Sequence, residues 1–252
     1  MTKQEALFEY LIRRADDTLI LGHRLSEWCG HGPILEEDIA LTNLALDLVG
    51  QATELYQYAA KIEDKGRDED DLAFLRLERE YKNVLLVEQT NGDFGKTIVR
   101  QFFFDHFQKL LYERLMESKD EQIAAIAAKS IKEVKYHLKH SSEWVIRLGD
   151  GTEESHNRVQ ESVTDLARFV DELFYQDEVD ELLIKEGIAC DTAEFRSTYE
   201  SNIKAVLDEA TLSLPKEKWQ LDGGRKGVHS EHLGYLLAEL QYIQRTHPGM
   251  EW

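Results

Sequence analysis

A chain of 252 residues with 42 % hydrophobic content can bury a sizeable core and fits one large domain. Its 49 acidic residues against 30 basic ones leave a net charge of −19, which repels phosphate backbones and anionic lipid surfaces and argues against nucleic acid or a membrane as partner. Cys29 and Cys190 lie far apart and match neither a zinc spacing nor a disulfide framework, and the N-terminus has no apolar signal core, so a soluble cytoplasmic protein is expected.

Only 3 prolines and 15 glycines punctuate the chain, far fewer than a succession of short strands needs, so the fold class read from the sequence is all-α. Phe8, Leu11, Ile12, Ala15 and Leu19 recur three or four apart and predict a first long helix over about 3–28, ended by Gly30-His31-Gly32-Pro33. Leu41, Leu44, Leu48, Ala52 and Leu55 carry a second over about 36–64. The charged run from Lys65 to Asp71 reads as a solvated connector that caps whatever helix follows. Asn91-Gly92-Asp93 has a hairpin dipeptide, but its flanks do not alternate, and a loop between helices is expected.

A third long helix is predicted over about 94–118. Ser118 or Asp120 caps a fourth, whose stripe is Ile123, Ala127, Ile131, Val134, Leu138 and Val145. Thr152, followed by two glutamates, opens a further helix of about 25 residues, and two more are expected over about 191–210 and 230–245. The pattern is that of a long-helix bundle with additional C-terminal helices, a single domain over residues 1–252.

The turn Ser130 to His137 has the outline of a carboxylate-x-x-His ligand pair, a spacing that puts both side chains on one helix face, but valine stands at the carboxylate position, Val134. The segments Leu25 to His31, Leu85 to Gln89, Lys132 to His137 and Gly227 to Gly234, with the Pro248-Gly249 tail, resemble the ferritin-like PaaA/PaaC family of the bacterial multicomponent phenylacetyl-CoA epoxidase, and most resemble its PaaC-type subunit. In the catalytic PaaA-type subunit the resemblance implies six di-iron ligands. Placed on this chain, they fall on Glu27, on Asp47 and Gly50, on Asp105, and on Val134 and His137. Gly50 stands where a histidine belongs and Val134 where a glutamate belongs, so a competent di-iron centre is not expected, and no residue is assigned a catalytic, cofactor or metal role.

Without a metal, acids at Glu27, Asp47 and Asp105 would repel one another, by roughly 4 kcal/mol for two charges about 4 Å apart at an effective dielectric near 20. Lys109, one turn after Asp105, together with His137, is the expected replacement for the iron charge. Apart from the resemblance, the same acids read as ordinary solvated groups, and His137 as a hydrogen-bonded core histidine. His229-x-x-His232 has a zinc-compatible spacing but no further ligand nearby, which favours capping or interface contacts. The loop Gly223 to Gly227 matches no nucleotide fingerprint, yet it offers Arg225 and Lys226 to a partner's acids or to a CoA phosphate. Phe102, Phe103, Phe104 and Phe107 read as bundle core or interface.

The resemblance implies a non-catalytic structural subunit that pairs with the di-iron PaaA-type catalytic subunit and the other subunits of an NADPH- and oxygen-dependent phenylacetyl-CoA 1,2-epoxidase. The cofactor is then expected in the partner and none in this chain. Two alternatives stand beside it. One is an active di-iron oxygenase with displaced ligands, Glu133 or Glu143 among them. The other is a ferritin-like binding protein, for example a homodimer that docks a different oxygenase.

Overall fold

In the computed structural model, which describes residues 1–216 and 219–250, every regular element among the described residues is helical. The helices gather into two compact units, one made of Met1–Thr90 together with the chain from Gly223 onward, the other of Asn91–Asp222. The return of the C-terminal segment to the first unit is made by contacts remote in sequence.

The first unit is built on α1 (Lys3–Ser26) and α2 (Leu35–Glu63). Thr2 accepts from the Glu5 amide while the Glu5 carboxylate accepts from the Thr2 amide, so a capping box satisfies two orphan donors at the start of α1. From Ala6 to Leu25 nearly every α1 side chain is buried, including Asp16 and Asp17. The two helices approach closely at Gly22, where a Cβ would meet Val49 and the Ala45 carbonyl at 3.2 and 3.3 Å. Asp68 caps α3 (Glu69–Phe74), and a short α4 (Leu85–Glu88) follows.

The second unit is built on α5 (Phe94–Leu115) and α6 (Glu121–Gly149). Asn91 to Asp93 is a loop, as its flanks imply, and Asp93 caps α5 by accepting from the Lys96 amide. Asp120 caps α6, accepting from Gln122 and Ile123. Thr152 opens α7 (Glu153–Leu166), but this helix stops after 14 residues, short of the 25 expected. Two short 3₁₀ turns follow and bring Phe174 against Phe107, Phe195 and Tyr199, with ring centroids 5.1 to 6.0 Å apart. The aromatic cluster thus takes residues that a continued helix would rotate away. Two further helices, α8 (Glu178–Glu186) and α9 (Ala193–Glu209), complete this unit. In the first unit the last helical stretch is divided into α10 (Glu231–Leu240) and α11 (Tyr242–Thr246).

Candidate functional site

The six positions on which the resemblance places ligands divide between the two units. In the first, Glu27 is the C-cap of α1, exposed to solvent, and Arg24 donates to its Oε1 at 2.7 Å. The inward acid expected here is therefore corrected: Glu27 closes the last turn of α1, its amide bonded to the His23 carbonyl at 3.3 Å, with its carboxylate in solvent. Asp47 is half-buried on α2. Gly50, one turn on, faces open space, with no heavy atom within 4 Å of where its Cβ would stand.

In the second unit Asp105 is fully buried on α5. Gln101 Nε2 donates to its Oδ1 at 2.5 Å and Ser141 Oγ to its Oδ2 at 2.7 Å. Burial is the largest influence on this carboxyl and pushes its pKa up to about 6, against the pull of His137 and the two hydrogen bonds. Val134, His137 and Ser141 are all buried on one face of α6, at i, i+3 and i+7. Ser141 is not announced by any motif in the sequence; its place one turn beyond His137 is the available signal.

Lys109 goes elsewhere. Its Nζ pairs with Glu113 Oε2 at 3.1 Å on a partly exposed face, and the cationic influence on Asp105 comes from His137. The residue that feels Lys109 is the buried His106, held down at about 4 by burial first and by the lysine charge second. Of the displaced-ligand candidates, Glu143 is exposed and pairs with Lys139 at 3.8 Å, and Glu133 is half-buried.

The most heavily bonded acids of the first unit are ones that no sequence motif singles out. Asp16 is held by Arg76 and Tyr56, and Asp17 by Arg225, whose Nη1 and Nη2 reach its two carboxylate oxygens at 3.0 and 2.6 Å. Arg225 also donates to the carbonyls of Arg13 and Lys82, at 3.1 and 2.7 Å. It is buried, so the expectation that it faces a partner's acids or a phosphate is corrected, while Lys226 beside it is exposed.

Glu88 receives the Ser230 amide on Oε1 at 2.7 Å, and His229 Nδ1 and Asn83 Nδ2 on Oε2 at 2.8 and 2.9 Å. The other His229 nitrogen lies 2.9 Å from the Tyr81 carbonyl. His229-x-x-His232 is thus a structural pair: its first ring is engaged at both nitrogens, and its second member gives its carbonyl to Arg24 at 3.1 Å.

Burial lowers the His229 pKa, but the Glu88 hydrogen bond and charge outweigh it and leave the pKa raised. A raised pKa contributes stability that is fully present below the ordinary value near 6.5 and is lost as pH rises through the folded value. Thermal midpoints measured on the alkaline side of pH 6.5 should therefore fall with rising pH, and the fall should be shallower in His229→Gln; an unchanged slope would assign the effect to another group.

These residues do not fit a di-iron centre. Such a centre needs charge-neutralising carboxylates and imidazoles with oxygen and nitrogen lone pairs free to bind. Val134 offers none, Gly50 has no side chain, Glu27 is spent on Arg24, and both Asp105 oxygens already accept hydrogen bonds. Among the described residues no three His, Cys, Asp or Glu side chains form a group able to hold a metal ion. A shallow cleft in the second unit is walled by Phe103, Phe174 and Tyr199, but the cation on its wall, Arg196, is taken by Asp171 and Glu200 at 2.5 and 3.1 Å. No helix among the described residues is long and apolar enough to cross a membrane.

The chain is 51 % identical over 246 residues to the subunit designated C of the 1,2-phenylacetyl-CoA epoxidase of Escherichia coli (strain K12), an alignment that covers 98 % of this chain and 99 % of that protein. The family model described as phenylacetic acid catabolic protein matches residues 1–252. A long-helix protein matched by this family model from end to end belongs to the PaaA/PaaC family.

Proposed function

We propose that this chain is a non-catalytic structural subunit of a cytoplasmic phenylacetyl-CoA epoxidase complex in phenylacetate degradation, which holds the di-iron catalytic subunit folded and shaped for substrate. The observation that carries this reading is the turn Val134 to Ser141: a buried valine at a ligand position, with Ser141 bonded to the one buried acid among the ligand positions, Asp105. A helix face with ligand spacing is packed here as ordinary core. The likeness to a protein named as a subunit of such an epoxidase supports it, since a subunit implies partners.

The test is metal content together with turnover. Chain expressed in excess ferrous iron should retain well under one iron per molecule after desalting, show no oxygen-dependent turnover of phenylacetyl-CoA alone, and co-elute with the catalytic subunit. About two irons per chain, with turnover by the chain alone, would overturn the reading.

A further inference from the structure

Leu35, Ile39 and Leu46 on α2 are 71 %, 53 % and 64 % exposed. At 100° per residue they fall within about 40° of one another around the helix. From Ile39 the line continues through Asn43, Leu46, Gly50, Thr53 and Gln57, a spacing that alternates four and three as in a coiled-coil seam. Gly50 leaves open space in that seam, where another helix can approach closely. Solvated helices turn polar side chains outward, so three large aliphatic residues in register on a long helix mark a surface that is covered in the working assembly.

Charge selects the occupant. Between Leu35 and Ala60 there are five acids, Glu36, Glu37, Asp38, Asp47 and Glu54, and no lysine or arginine. Glu36, Asp47 and Glu54 share one edge of the stripe, at about 100 to 120° from Leu35. In an antiparallel pair of two identical copies these edges would lie on the same side and repel, and each copy would bring the same overall net charge of −19.

We propose that the Leu35–Ile39–Leu46 stripe seats a helix of a different subunit, one flanked by lysine or arginine, and not a second copy of this chain. The inference rests on the structural-subunit reading and takes the catalytic subunit as that partner.

Binding of the purified chain to the catalytic subunit by titration calorimetry tests it, with Tyr235→Arg and Tyr242→Arg, at exposed positions of α10 and α11, as controls. Ile39→Arg and Leu46→Arg are expected to weaken binding about tenfold or more, while the chain's own melting midpoint stays within about 2 °C and the controls bind as the parent does. Leu46→Glu should cost less than Leu46→Arg; the reverse order would overturn the basic flank. Parent binding that survives Ile39→Arg and Leu46→Arg would overturn the stripe and leave the subunit reading standing. A parent chain that does not bind the catalytic subunit would overturn that reading and its occupant together. A self-dimer in sedimentation that Leu46→Arg dissociates would replace the partner with a second copy.

Discussion

Arg225→Met is expected to lower the thermal midpoint of the isolated chain by about 10 °C. The guanidinium and Asp17 are both buried, and the pair is bidentate. Removing one member of a buried pair costs about 3–5 kcal/mol; Asp17 would keep the Val84 amide at 2.9 Å and Arg14 at 3.8 Å, so the low end of that range is expected. At roughly 2–4 °C per kcal/mol for a chain of this size, the loss is visible in an ordinary melt. Two carbonyls, of Arg13 and Lys82, lose a donor at the same time. Arg225→Met combined with Asp17→Asn should recover part of the loss, because the carboxylate charge is gone. The contrasting outcome is specific: if Arg225 served a partner's acids or a CoA phosphate, the isolated chain would melt within about 0.5 kcal/mol of the parent, and only the complex would weaken.

That same pair shows where sequence reasoning stops. The long helices α1, α2, α5 and α6 were legible to within about three residues, because apolar spacing and the caps Asp93 and Asp120 act over one or two turns. Asp17 and Arg225 are 208 positions apart, and Glu88 and His229 are 141 apart. No local pattern announces such partners, and an Arg in a glycine-rich loop reads as solvated until the fold buries it. Glu27 failed for a related reason: it continues the helical spacing, but at the C-cap of α1 it is exposed and paired with Arg24, which the spacing alone does not show. The helix α8 was missed: no helix was expected between the one opened by Thr152 and the one at about 191, although Asp177 as a side-chain cap and Gly187 as a left-handed C-cap bracket it, with Val179 and Leu183 as its apolar pair. The identities of Gly50 and Val134 are read from the sequence directly, while their status as ligand positions is what the resemblance implies.

Asp105→Asn is expected to stabilise the chain at pH 8, by about 3 kcal/mol, and to change little at pH 4. Burial raises the folded pKa from the ordinary 3.8 to about 6. Between those values the folded state holds a proton that the unfolded state has released, so stability falls as pH rises through the window, and the full penalty stands above it. Two pH units at about 1.36 kcal/mol each give the figure. Asparagine keeps an acceptor for Ser141 Oγ, and its amide can donate to Gln101 Oε1, a buried oxygen with no hydrogen bond among the described residues, once the Gln101 amide turns over. Chemical denaturation at the two pH values measures the difference directly. A metal-binding carboxylate would behave in the opposite way, since its loss removes a ligand and destabilises the loaded protein. A gain at pH 8 that vanishes at pH 4 identifies Asp105 as a buried acid whose charge this chain tolerates through Gln101, Ser141 and His137; a loss at both would return it to the set of working ligands.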